Sequence, residues 1–302
     1  MLPTLRSLPA PEALATYLGK RYGIPFTGCT LLRSLVNDVY LVAAKDARYV
    51  LKLYRYGGRQ PDEVRWETGL SAHLVAHGLL TPAVHPLPDG DPAGSLDAPE
   101  GPRAFVLQEF LDGAKPPYEE GLYREFGGLV ARFHEIADSY VPEFPRRGTN
   151  LPYSLDELRP HLAPAEENLL RSLDAAVRNN LAQYHLTRGI CHGDVSLDNL
   201  LVSNTGLTLY DFDLAGPGYL AADFTGVATT PYWNAFKTGY TSRRTISADD
   251  EAAIPYLRVV ARLSNLGFHL LDKPTFRGTE SRGEGWAERE FTALREAADE
   301  IL

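Results

Sequence analysis

Cysteine is nearly missing from the chain: Cys29 and Cys191 are the only two in 302 residues. Two are too few for a disulfide framework, and neither stands in a C-x-x-C pair. Cys191 falls in a strand-like run and reads as a buried thiol. No stretch reaches the ~18 uninterrupted apolar residues of a membrane span. The first twenty residues, broken by Pro3, Pro9 and Pro11, hold no apolar run of signal-peptide length. These absences lead to the expectation of a cytoplasmic, reducing setting and no membrane partner. Basic clusters are equally scarce, going no further than pairs such as Arg146-Arg147 and Arg243-Arg244, and the net charge is -9. A nucleic-acid partner is therefore not expected. The acidic balance suits a cationic substrate and equally plain solubility. There is no internal repeat and no low-complexity segment.

What is present is 44% hydrophobic residues and 23% charged ones, well dispersed, enough for a large core and about two domains. The chain is organised around residues 190–212, ICHGDVSLDNLLVSNTGLTLYDF. Two short apolar runs, 200–202 and 207–210, flank the turn residues Ser203, Asn204, Thr205 and Gly206, which signals a hairpin. Asp194, Asn199 and Asp211 lie where apolar strand gives way to loop. Mg²⁺ prefers hard oxygen ligands and takes one or two from protein, with phosphate and water supplying the rest. Asn199 and Asp211 offer such oxygens, and Asp194 can accept a proton from an attacking hydroxyl. The spacing is that of the kinase signature H-R-D-x-x-x-x-N followed by D-F-G. Here it reads His192-Gly193-Asp194, Asn199 and Asp211-Phe212-Asp213.

Gly193 in place of Arg and Asp213 in place of Gly point away from eukaryotic protein kinases. The H-G-D and D-F-D forms resemble the aminoglycoside phosphotransferase and choline kinase family, which includes one class of homoserine kinase. The resemblance runs over most of the chain. It implies an α+β, two-lobed, protein-kinase-like fold. The N-lobe, residues 1–110, would be an antiparallel sheet plus a helix; the C-lobe, residues 111–302, mainly helical. ATP, or GTP, would be bound with Mg²⁺.

Lys52 is the second anchor. It sits in an alternating strand, 48–54, with Tyr49, Leu51 and Leu53 pointing one way and Val50, Lys52 and Tyr54 the other. A lysine there carries a burial penalty unless it meets an anion. In kinases the equivalent lysine holds nucleotide phosphates and pairs with a glutamate on the next helix. On the helix expected at 63–77, Glu67 fits that role and Glu63, one turn earlier, competes. The phosphate-covering loop lacks glycine altogether; Ser34 and Asn37 match the family's polar version loosely. Gln108 to Gly113 resembles the interlobe hinge, which would place adenine against backbone groups near Glu109 and Leu111. His192 reads as a scaffold, with Asp213 and His192 as accessory site residues.

Further helices are expected at 11–22, 122–137, 162–185 and across 248–302, the last interrupted by a loop at 273–284. Strands are expected at 30–34, 39–43 and 103–110, with a surface loop at 87–102 and a Pro-rich connection at 138–160. Residues 127–134 resemble a family helix in which His134 is structural. Asp223 is expected at a helix start as a hydrogen-bond hub. His73 and His77 have zinc-ligand spacing but no third ligand, so a solvated helix face is expected. The acidic run Asp249-Asp250-Glu251 is either a cationic-substrate contact or a helix start.

The resemblance implies a small hydroxylated acceptor, often cationic: an aminoglycoside or other basic antibiotic. Homoserine, choline or a sugar is the alternative, as is protein serine or threonine in a bacterial stress-response kinase. A non-catalytic nucleotide-binding regulator fits least, because every catalytic position is filled. The sequence carries no signal of oligomeric state.

Overall fold

The computed structural model describes residues 2–148 and 154–302. Residues 149–153 of the Pro-rich connection lie outside the described residues. In chain order the elements are α1 (Pro11–Tyr22), β1 (Phe26–Ser34), β2 (Asp38–Ala44), β3 (Arg48–Leu53), α2 (Pro61–Ala76), β4 (Val84–His85), β5 (Gly94–Ala98), β6 (Gly101–Glu109), α3 (Glu120–Ala137), α4 (Leu155–Leu158), α5 (Pro164–Leu181), β7 (Arg188–Cys191), β8 (Leu200–Ser203), β9 (Gly206–Leu209), β10 (Gly216–Tyr219), α6 (Trp233–Thr241), α7 (Ala248–Gly267), α8 (Lys273–Arg277) and α9 (Trp286–Ile301). They form two compact units. One comprises Met1–Pro116, Ser139–Arg147 and Leu200–Asp213; the other comprises Pro117–Asp138, Gly148–Asn199 and Leu214–Leu302. These units are not divided by a single cut after Phe110: Ser139–Arg147 and Leu200–Asp213 group with the first.

The first unit is built on an antiparallel sheet in the order β1-β2-β3-β6-β4, with β5 added along β6. Period-two alternation in β3 sorts its side chains. Leu51 and Leu53 join Tyr40, Val42, Phe105 and Leu107 under α1, where Leu14, Leu18 and Tyr22 cover them. Tyr54, on the other face, packs with Val64 of α2 and with Val106. Lys52, level with Val39 on β2 and Val106 on β6, shares that second face. Pro61 starts α2 at a position where its missing N–H loses nothing, and the Glu63 carboxylate accepts from the Gln60 N–H at 3.0 Å to close the first turn. The expected surface loop at 87–102 is only partly a loop: Gly94–Ala98 pairs with Gly101–Phe105 around a tight turn. Its short, polar run has little strand propensity, and the ladder offered by β6 decides its conformation. The hairpin β8–β9 has Leu200 opposite Leu209 and Ser203 opposite Gly206, with a two-residue turn between. It is tied down by a bridge from Ala114 to Val202 and by the Leu209 N–H donating to the Leu80 carbonyl.

The second unit is mainly helical. The apolar stripe of α3 buries Leu122, Phe126, Val130 and Phe133. At Gly127 the helix meets α6 so closely that a Cβ would fall 1.9 Å from the Phe236 carbonyl oxygen. A second core joins α5, α7 and α9 through Leu170, Leu173, Val259, Leu263, Leu266, Phe291 and Leu294. After Asp213, Gly216–Tyr219 pairs with Arg188–Cys191. Asp223 lies within a short 3-10 helix, Leu220–Phe224, rather than at the start of an α-helix.

Candidate active site

In the first unit, Lys52 Nζ donates to Glu67 Oε1 at 3.0 Å and to Asp211 Oδ1 at 2.9 Å. Burial alone would discharge the lysine. The Asp211, Asp213 and Glu67 carboxylates outweigh it and hold the pKa well above its ordinary value. Burial pushes the Glu67 pKa up, against the pull of Lys52. Glu63 is not the partner: its Oε1 accepts from Arg147 Nε at 2.8 Å, and its pKa falls because the Gln60 N–H and Arg147 outweigh its burial. Asp211 has φ 66°, the one positive value outside glycine among the described residues. A left-handed aspartate stores strain that the fold sustains at this turn. Its side chain is 44% exposed, whereas that of Lys52 is 10% exposed.

Asp213 has a different environment. Its Oδ1 accepts from Arg59 Nε at 2.9 Å, its Oδ2 from Asn37 Nδ2 at 2.9 Å, and its carbonyl from Arg59 and Arg146. Burial would raise its pKa; Lys52 and Arg59 outweigh that and hold it far below the usual carboxylate range. The aspartate is thus engaged in structure. The two loop residues expected at phosphate are engaged too. Asn37 Oδ1 accepts from the Arg55 N–H. Ser34 Oγ donates to Asp38 Oδ1 at 2.7 Å and accepts from Arg6. Asp38, fully buried, also takes Arg103 at 2.6 Å. Without glycine the turn is held by side-chain bonds, and its polar residues are taken up by Arg6, Asp38, Arg55 and Asp213.

At the hinge, the Glu109 N–H donates to the Ala83 carbonyl at 2.8 Å. A cavity of about 350 Å³ nearby is lined by Leu79, Leu80, Thr81, Glu109, Leu111 and Thr208. Neither Lys52 nor Asp211 lines it.

In the second unit, Asn199 Nδ2 donates to Asp194 Oδ2 at 2.8 Å and to the Asp194 carbonyl at 2.9 Å. The amide orients the carboxylate, and its own Oδ1 remains as an oxygen donor. Gly193 has φ 79°, and a Cβ there would lie 2.3 Å from the Leu214 carbonyl oxygen. Only glycine fits, which explains the departure from Arg. His192 is fully buried, and its Nδ1 accepts from the Asp194 N–H at 3.3 Å. Asp223 gathers the loop: it accepts from the His192 N–H at 2.7 Å, the Gly193 N–H at 2.8 Å and His134 Nε2 at 3.0 Å. His134 Nδ1 meets the Tyr240 hydroxyl at 2.9 Å. The Asp249–Glu251 run is a helix start. Asp249 accepts from the His185 N–H, Asp250 from Thr187 and the Ser247 hydroxyl, and Glu251 pairs with Lys237.

The donor types suit a hard cation: Asp211 in the first unit carries an accessible carboxylate and Asn199 in the second an amide oxygen, each a ligand type that Mg²⁺ accepts. A caged transition-metal site is another matter: among the described residues no three His, Cys, Asp or Glu side chains cluster for one. His73 and His77 stack at 4.2 Å, with His73 meeting Ser139 and His77 the His73 carbonyl. Arg59 and Arg146 were not legible as site residues, since each lies far in sequence from Asp213, which both hold. Among the described residues no helix is long and apolar enough to cross a membrane.

The phosphotransferase enzyme family model matches residues 28–257. The chain belongs to this family. Its members share the protein-kinase-like fold, with an N-terminal antiparallel sheet and a helical C-terminal part, and the chain is a small-molecule kinase that transfers phosphate to a hydroxyl. An uncharacterized protein of Deinococcus radiodurans is 33% identical over 97% of this chain and 92% of its own length. A homoserine kinase of Rhizobium etli is 28% identical over 78% of this chain and 76% of its own. Among solved structures, the microcompartment-associated aminopropanol kinase superposes with a TM-score of 0.72 at 25% identity, covering 94% of this chain and 98% of that one.

Proposed function

We propose that this phosphotransferase moves the γ-phosphate of ATP to the hydroxyl of a compact amino alcohol. The observation that carries the reading is Lys52, charged and held between Glu67 and Asp211. A buried ammonium with two carboxylates is poised to exchange part of its pairing for nucleotide phosphate. The acceptor class rests on the similarity to a homoserine kinase and to an aminopropanol kinase, both named for molecules with a hydroxyl a few bonds from an amine. That favours a short amino alcohol over the larger aminoglycoside.

In this mechanism the Asp194 carboxylate, oriented by Asn199, accepts the proton of the acceptor hydroxyl as its oxygen attacks phosphorus. Lys52, aligned by Glu67, neutralises phosphate charge. Asp211 and the Asn199 oxygen would hold Mg²⁺, which when bound neutralises charge developing on the transferred group. The Glu109 carbonyl and the Leu111 N–H seat the adenine edge. Most of the rate enhancement then comes from positioning and charge complementarity. The test is ADP release from MgATP over a panel of homoserine, 1-amino-2-propanol, choline, kanamycin and a sugar. Turnover is expected with a short amino alcohol and is expected to vanish on EDTA addition. Stimulation by kanamycin alone would overturn the acceptor assignment.

A further inference from the structure

Residues Ser139–Arg147 follow α3 in sequence yet belong to the first unit, where they form a strap along α2. The Tyr140 hydroxyl donates to the Trp66 carbonyl at 3.0 Å, and the two rings meet edge to face at 5.7 Å. Ser139 meets His73 at 3.0 Å. Arg147 takes the Glu63 carboxylate and the Gly58 carbonyl. Between these anchors, Arg146 lies 5.2 Å over the Trp66 ring. Its Nη1 donates to the Glu63 carbonyl at 3.2 Å, and its Nη2 donates to the carbonyls of Phe212, at 3.3 Å, and Asp213.

One guanidinium therefore joins the helix that carries Glu67 to the segment that carries Asp211. Those are the two carboxylates on either side of Lys52. Glu67 lies one helical turn beyond the Glu63 carbonyl that Arg146 grips. Asp211 directly precedes the two carbonyls gripped by the other nitrogen, and its left-handed backbone needs an external restraint. Arg59 holds Asp213 from the other side, through both its carboxylate and its carbonyl. A planar guanidinium can satisfy several carbonyls in fixed directions, which the single ammonium of lysine does poorly.

We propose that Arg146, carried on the 139–147 strap, is a positioning residue for phosphotransfer. It sets the separation of Glu67 and Asp211 and thereby where the Lys52 ammonium and the metal-binding carboxylate sit. The inference rests on the phosphotransfer reading above, and its test separates the two. The full chain and its variants are compared for MgAMP-PNP affinity by calorimetry, for kcat and KM with the best acceptor of the panel, and for melting temperature.

Arg146→Lys, which keeps the charge, is expected to stay folded yet lose about tenfold in MgAMP-PNP affinity and in kcat, since small misplacements at a reacting centre carry penalties of that order. Arg146→Ala is expected to lose more and to recover part of its affinity in millimolar guanidinium, whereas Lys52→Met recovers none. Arg147→Ala, which deletes a largely exposed guanidinium and leaves the buried Glu63 carboxylate without that partner, is expected to lower the melting temperature while changing either parameter by about twofold at most. Wild-type affinity and kcat in Arg146→Lys would overturn the inference, as would losses that follow melting temperature alone with no guanidinium rescue. If the wild-type chain bound no MgAMP-PNP, the phosphotransfer reading itself would fall and this inference with it. If it bound the nucleotide but turned over no acceptor, the affinity comparison would still decide the role of Arg146.

Discussion

Asp194→Asn is expected to lower kcat by about 10²–10⁴-fold, the usual contribution of a positioned general base. The substitution is nearly isosteric. The Asn199 amide can still donate to the remaining carbonyl oxygen, as it now does to Oδ2 at 2.8 Å. Gly193 and His192 hold the loop through backbone contacts that do not involve this carboxylate. MgATP affinity and melting temperature should therefore stay near wild type while turnover collapses. Steady-state kinetics with calorimetry on the same preparation checks this. A kcat within a few-fold of wild type would remove Asp194 from proton transfer. Phosphotransfer through a loose transition state depends less on a base than acyl transfer does, so the lower end of the range is the better expectation.

Asp223→Ala is expected to destabilise the protein by about 3–5 kcal/mol, the usual loss when one partner of a buried charged cluster is deleted. The carboxylate accepts from two backbone N–H groups and an imidazole, with side-chain exposures of 0% for His134 and 1% for Asp223. Removing it strands the buried His192 N–H and His134 imidazole together with the part-buried Gly193 N–H, and each must then find water or forfeit its bond. The loop from Cys191 to Asp194 would lose its fixed course, so activity should fall along with stability. Asp223→Asn keeps one acceptor oxygen and should lose roughly half as much, which chemical denaturation monitored by circular dichroism resolves. An Asp223→Ala midpoint equal to wild type would mean that the loop is held by something else.

Much of this arrangement is visible in the linear sequence because its parts are close together there. Asp194, Asn199 and Asp211 fall at fixed spacing around a hairpin whose turn residues announce it, and the alternation in β3 places Lys52 on the face shared with α2. The ambiguity between Glu63 and Glu67 is resolved only in three dimensions, since both lie on one helix a turn apart and the deciding contact comes from Arg147. The strand at 94–98 was hidden because its pairing comes from β6 and not from its own polar residues. Gly216–Tyr219 was hidden because glycine and proline suggest a turn until Arg188–Cys191 supplies the ladder. The bonds to Asp213 from Asn37, Arg59 and Arg146 cross 176, 154 and 67 positions, and no local pattern marks such partners. The same holds for the acceptor site: the acidic run at 249–251 looks suited to a cation, yet its carboxylates cap a helix and pair within the fold.

The most direct measurement is to follow the label when the protein is incubated with Mg²⁺, ATP carrying ¹⁸O in its γ-phosphate, and the amino-alcohol panel, with products read by mass spectrometry. The account predicts a phosphate monoester of one small amino alcohol that retains the three non-bridging labelled oxygens. Label recovered only as inorganic phosphate, or on serine and threonine of protein, would contradict it.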